Sequence, residues 1–276
     1  MEIGLNGATT LKADLTTDIA VAGRAGFNFV EIWAPKLMGY MERGGLAALT
    51  RDLKRAEVRA VTLNSVEHVT FNDPSGHVRM LEDFQRFCQV AKAIQAETVI
   101  VVPSPRPKGV SLTAIERESI RVLRELSAIA SPYGVRLAYE FLGFADCTVN
   151  SLAQCATIVE KVARNNVGLV LDTFHFFAGG SSVASIREVN PEKIFMVHIN
   201  DVERAPRRKM HDALRLFPGK GILPLPRILR TLKAIGYSGG VSVEIFRPQY
   251  WTRPPLQVAR EARKSAVAAL RQAGFC

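Results

Sequence analysis

Cysteine is scarce in this chain. There are four, Cys88, Cys147, Cys155 and Cys276, and no two stand in a CxxC pair. They read as reduced thiols of a cytoplasmic protein. Long apolar runs are missing too; none approaches the ~20 residues a membrane helix needs. No Pro/Ser-rich linker, low-complexity tract, sequence repeat or shift in composition divides the chain. No GxGxxG fingerprint follows the first apolar run, which counts against a dinucleotide-binding doubly wound sheet. The first strand begins at once, with Glu2-Ile3-Gly4-Leu5-Asn6, so no cleavable leader is expected.

What is present is a regular alternation. Apolar residues make up 47% of the 276, ample for a large core and against disorder. Eight β-type runs can be counted: Ile3–Asn6, Phe29–Trp33, Ala60–Asn64, Thr98–Val102, Arg136–Glu140, Gly168–Asp172, Ile194–His198 and Val241–Glu244. Most are continuous Val/Ile/Leu segments, as parallel strands buried on both faces should be. Helical patterns lie between them. Val78, Leu81, Phe84, Cys88, Ala91 and Ile94 form one stripe, and Leu256, Ala259, Ala262, Ala266 and Leu270 another. Ser151 with Gln154 reads as a capping box. Eight βα units in ~250 residues predict an α/β protein with a single (β/α)₈ TIM barrel over residues 1–276.

The last four runs end in Glu140, Asp172, His198 and Glu244. Residues two apart on a strand share a face, so inward-pointing ends would place Ala138, Val170, Met196 and Ser242 one layer below. That layer is small or apolar, as a packed barrel interior requires. The four ends then sit at the C-terminal rim, where barrel active sites form. Three carboxylates and an imidazole buried there are very costly unless their charge is compensated. A divalent cation with O and N ligands is the economical compensator. A lone strand-end acid more often caps a helix or pairs with arginine; four in a row argue for one metal ion.

Other side chains belong to the same rim. His175 lies three residues beyond Asp172. Arg215 precedes Pro218-Gly219-Lys220-Gly221, a turn that would bring the long 199–220 segment back over the opening. His175, in the following loop, could face the same mouth, and the Arg215 guanidinium could bind substrate oxygens. Trp33 ends strand two, where an indole could wall a sugar-sized pocket. Asn6 and Asn64 are weaker strand-end signals. None of the eight ends carries lysine, with Lys36 and Lys108 assigned to loops, which disfavours a Schiff-base aldolase.

The words around these ends carry a resemblance. Tyr139-Glu140-Phe141, Leu171-Asp172-Thr173-Phe174-His175, Val197-His198-Ile199-Asn200-Asp201, Pro218-Gly219-Lys220-Gly221 and Val243-Glu244-Ile245-Phe246-Arg247-Pro248 occur in consistent order. Together they resemble the sugar isomerase/epimerase family of xylose-isomerase-like barrels, and within it the inosose (keto-inositol) isomerases. The resemblance implies one divalent metal (manganese, zinc, cobalt or magnesium) on Glu140, Asp172, His198 and Glu244. It implies that Glu140 and Glu244 are the acid/base pair and that His175 and Arg215 hold substrate oxygens. The implied reaction is isomerisation or epimerisation of a ketose or keto-cyclitol through an enediolate, with dehydration as the alternative outcome.

The net charge of 36 − 26 = +10 admits a different partner, the nucleic-acid backbone. Apurinic-site endonucleases share the barrel, but they use several metals and extra histidines from early strands. Here strands two and four end in Trp33 and Val102, with only His68 nearby, and His211-Asp212 could imitate just part of the later ligand set. Most basic residues are scattered over helices. The cluster Arg204, Arg207, Arg208 and Lys209 admits a phosphorylated or otherwise anionic substrate, or simply a solvated loop. A small-molecule sugar or cyclitol is the expected partner, without nucleic acid or membrane. A homo-oligomer is compatible with the sequence, although no apolar stripe marks an interface. A barrel that binds ligand without turnover is the remaining rival.

Overall fold

The computed structural model of the protein describes residues 1–275, so Cys276 lies outside the described residues. Ten strands are present: β1 (Ile3–Asn6), β2 (Phe29–Trp33), β3 (Arg59–Val66), β4 (Thr98–Val101), β5 (Arg136–Glu140), β6 (Val167–Asp172), β7 (Ile194–Ile199), β8 (Asp201–Val202), β9 (Arg215–Leu216) and β10 (Val241–Val243). Eight of them, β1 to β7 and β10, close a barrel in the order β1-β10-β7-β6-β5-β4-β3-β2. Every ladder of the barrel is parallel, and β10 closes it against β1 through Ile3↔Val241 and Leu5↔Val243. The expected eight strands are the eight observed. Their ends move by one or two residues, since a strand's last pairing depends on its neighbours and not on its own composition.

Around the barrel run α1 (Leu15–Ala25), α2 (Ala34–Ala56), α3 (Pro74–Ala93), α4 (Leu112–Ala130), α5 (Leu152–Val162), α6 (Thr173–Ala178), α7 (Leu225–Ala234), α8 (Pro248–Trp251) and α9 (Pro255–Gln272). Their starts are chemically marked. Asp14, Asp73, Ser111 and Ser151 each accept a hydrogen bond from a backbone N–H in the first turn, satisfying a donor the helix leaves unpaired. The capping box at α5 takes a variant form: Ser151 accepts from Gln154 N, but the Gln154 side chain accepts from Asn150 N instead of the Ser151 N. Lys36 sits in α2, not in a loop. Its ammonium is buried, donating to Gly7 O (2.8 Å), Thr10 O (2.9 Å) and Asp18 Oδ2 (2.6 Å).

The main core fills the space between strands and helices. A second cluster inside the barrel comprises Phe29, Ile100, Val102, Ala138, Val170 and Met196. Ala138, Val170 and Met196 are the residues expected beneath the rim, and Ser242 is buried as well. Phe29 reaches across this layer: a Cβ added at Gly4 would overlap its ring, so only glycine fits there. The α3 stripe needs one correction, because Val78 is 55% exposed while Met80 is buried. Val78 stands near the start of α3 with its side chain in solvent.

The long segment after β7 folds back as expected, by a device the sequence did not reveal. β8 and β9 pair antiparallel, Asp201↔Leu216 and Val202↔Arg215. Asp201 Oδ1 accepts from Val202 N and Leu223 N, both at 2.9 Å, which ties the two ends of the excursion together. This strap delivers Arg215 to the barrel mouth. Arg204, Arg207, Arg208 and Lys209 lie on its outer bend, exposed.

Candidate metal and catalytic site

Glu140 closes β5, Asp172 closes β6, His198 lies one residue before the end of β7, and Glu244 follows β10. The ladders pair Asp172 with His198 and Ser242 with His198, bringing these strand ends to one height. One ligand atom from each of the four lies within 4.8 Å of the others, and all four residues are buried. Among the described residues no other such group of metal-ligating side chains occurs.

The His198 ring has two differently occupied sides. Nδ1 lies 2.8 Å from Glu140 Oε1, 3.3 Å from Glu244 Oε2 and 3.9 Å from Asp172 Oδ2. Nε2 points away from this group and lies 3.0 Å from Glu31 Oε1. Glu31 was not singled out from the sequence. It is a fully buried carboxylate in the middle of β2, and Asn6, Asn64 and Thr62 donate to it, Thr62 at 2.6 Å. Asn6 and Asn64 also donate to Glu244 Oε1, at 3.1 and 2.9 Å. The signal was present in Phe29-Val30-Glu31-Ile32-Trp33, since one charge inside a buried strand requires a partner. Trp33, two residues beyond Glu31, shares its face by strand alternation and stands nearer the rim, half-buried.

Arg215 is the other organiser. Its guanidinium is 1% exposed and lies between the rings of Phe174 and Phe246, 4.6 and 5.5 Å from their centroids. Nη1 donates to Asp172 Oδ2 (2.6 Å) and Glu244 Oε2 (3.1 Å), Nε to Asp212 Oδ1 (2.9 Å), and Nη2 meets His175 Nε2 at 3.0 Å. His175 also accepts from Gly143 N at Nδ1 (3.1 Å). A neutral imidazole has one bare nitrogen, so it accepts fully from only one of these donors. Asn200, also missed, donates to Asp172 Oδ2 at 2.9 Å and is held by Thr173. It follows β7, where its amide resembles any loop polar residue until the fold places Asp172 beside it.

Charge follows this geometry. Burial, followed by the nearby Glu244 and Asp172 charges, pushes the Glu140 carboxyl up to about 8 although His198 opposes them. Burial would raise Asp172 as well, but Arg215, His175 and His198 together bring it down to about 2. Burial disfavours the His198 cation; Glu244, Glu31 and Glu140 outweigh it and raise the ring well above its ordinary value. Three acids facing one imidazole nitrogen form a hard O/N donor set, which a divalent cation would satisfy and neutral water would not. The residues present fit a metal ion, with Nδ1 as the imidazole donor.

Comparisons with known proteins agree with this reading of the fold. The family model for the xylose isomerase-like TIM barrel matches residues 19–270. The chain belongs to the xylose isomerase-like TIM barrel family. Within it, an inosose isomerase of Halalkalibacterium halodurans is 36% identical over 269 residues, covering 97% of this chain and 95% of that one. A crystal structure of the IolI protein with a bound zinc atom superposes with a TM-score of 0.96 at 35% identity, covering 99% of both chains. A 3-dehydroshikimate dehydratase of Pseudomonas aeruginosa is 28% identical over 256 residues, 89% of this chain but 38% of the longer enzyme.

The extra nuclease ligands are not gathered with the cluster: His68 and His211 are exposed, and Asp212 is engaged by Arg215. A cavity of about 360 Å³ at the opposite end of the barrel is lined by Phe29, Arg59, Glu97, Arg136 and Met196. Its two arginines are paired, Arg59 with Glu2 at 2.7 Å and Arg136 with Glu97 at 2.8 Å, and no cluster of metal-ligating side chains lines it. No described helix is long and apolar enough to cross a membrane.

Proposed function

We propose that the protein is a divalent-metal-dependent isomerase of a keto-cyclitol of the inosose class. The observation that carries this reading is the buried convergence of Glu140, Asp172, His198 and Glu244 at the rim. The full-length likeness to inosose isomerases supplies the substrate class. The three described cysteines are free and buried, which suits a reducing, cytoplasmic setting.

The four residues would hold the cation, His198 through Nδ1. When bound, such a cation polarises a carbonyl and its neighbouring hydroxyl and offsets the negative charge of the enediolate. Glu140 and Glu244 are the acid/base pair. One carboxylate takes the proton from the carbon bearing the hydroxyl, and the other delivers a proton to the former carbonyl carbon. The hydroxyl proton passes to the other oxygen, so carbonyl and alcohol exchange places without loss of atoms. Arg215 keeps Asp172 and Glu244 aimed; of its five N–H donors one on Nη2 is left over, enough to reach a substrate oxygen beside His175. Asn64 and Trp33 contribute the amide and the apolar wall of the pocket.

The test is Glu244→Gln with an inosose in deuterated water. Incorporation of solvent deuterium at carbon should fall by at least ~10²-fold, the usual worth of a positioned acid or base. Exchange at the wild-type rate removes Glu244 from the mechanism. A dehydratase reading draws on the second group of relatives, because the same enediolate can expel a β-hydroxyl. NMR of the product separates the two: the isomer keeps all its atoms, whereas dehydration yields an enone and water.

A further inference from the structure

Glu31 stands outside the four-residue cluster, yet it is buried at the centre of the mouth. Asn6, Asn64 and Thr62 donate to its oxygens. A glutamine oxygen could still accept from both amides, with the Thr62 hydroxyl turned to accept, without the cost of a buried charge, so the charge itself needs a reason. Among the described residues one basic side chain lies against it: the His198 ring, with Nε2 at 3.0 Å. The contact is one of distance and charge, since the ring's N–H direction passes beside Oε1 and no aligned hydrogen bond forms.

We infer that Glu31 is a positioning residue that keeps the His198 proton on Nε2, so that the Nδ1 lone pair faces Glu140, Asp172 and Glu244. This rests on the metal-site reading above. An imidazole ligand carries its remaining proton on the nitrogen away from the cation, and a carboxylate behind that nitrogen fixes both tautomer and ring orientation. Asn6 and Asn64 extend the arrangement, because each amide touches both Glu31 and Glu244. Strands β1, β2 and β3 supply no ligand, but through this brace they orient two ligands from β7 and β10.

The experiment compares wild type, Glu31→Gln and Thr62→Val by zinc titration against a competing chelator. Glu31→Gln should bind zinc ~10–100-fold more weakly, the usual cost of losing such a partner, while the metal-free proteins melt within a few degrees of one another. Thr62→Val, a milder change that frees only Glu31 Oε2, should move affinity the same way by a smaller factor. Its test stands even if Glu31→Gln fails to fold. Proton–nitrogen NMR of the zinc-loaded wild type should show His198 protonated at Nε2. Unchanged zinc affinity in the variant that folds, or a proton on Nδ1 in the zinc-loaded protein, overturns the inference. Failure of the wild type to bind zinc, manganese, cobalt or magnesium would instead overturn the parent reading.

Discussion

Single residues decide whether this mouth can exist. Arg215 offers the clearest test at that scale, because among the described residues its guanidinium is the one Arg or Lys head group paired with both Asp172 and Glu244. Arg215→Met should destabilise the metal-free protein by about 3–5 kcal/mol, since it strands buried carboxylates without their partner. Chemical denaturation measures this directly. Arg215→Lys should recover part of the stability but not the geometry, because an ammonium cannot span Asp172, Glu244 and His175 as a planar fork does. The convergence of Glu140, Asp172, His198 and Glu244 was legible as charges at the ends of apolar strands, and Arg215 as a charge carried over the opening by a turn, though not its bracing of Asp172 and Glu244. Glu31 and Asn200 were not. One is a mid-strand charge whose partner lies 167 positions away in sequence, and the other is a loop amide given meaning only by Asp172.

At the scale of elements, the barrel was readable because each strand is a short apolar run separated by a helical period, and parallel strands buried on both faces need little else. The β8–β9 strap was not readable. Two residues on each side form no pattern, and Asp201, which pins the strap, resembles any acid in a loop. Interior packing was foreseen at Ala138, Val170 and Met196 but not at Phe29, which is inward only because Gly4 on the adjacent strand leaves room. Gly4→Ala should therefore cost about 1–3 kcal/mol through overpacking. The double variant Gly4→Ala with Phe29→Leu should cost less than the sum of the two single changes, because both act on one volume. A thermal-melt cycle over the four proteins would show this; strict additivity would mean that the ring does not fill that space.

For the whole molecule, the mouth couples stability to pH and to metal. In the metal-free protein Glu140 is raised from an ordinary 4.5 to about 8, and His198 is also raised. A raised folded-state value means the contribution is complete below the unfolded value and is lost as pH climbs through the folded one. Stability of the metal-free protein should thus decline from about pH 5 toward pH 8 and beyond. Asp172, lowered to about 2, has the opposite sign: its contribution is present above 3.8 and disappears only as pH falls through about 2. Added zinc or manganese should flatten the alkaline decline, because a cation repays ionisation of Glu140. Melting temperatures at pH 6 and 8.5, with and without chelator, check this; an equal drop in both states would place the pH sensitivity elsewhere.

The last barrel strand has a consequence for assembly of the site. Glu244 is separated from Asn6, the amide it touches, by 238 positions, and β10 joins the two ends of the chain through its pairing with β1. A chain in which β10 has not yet docked on β1 can present three of the four donors but neither the fourth nor the closed cylinder that orients them. Completion of the donor set therefore waits on closure of the barrel, and a partly folded chain offers no finished cup in which an ion could lodge.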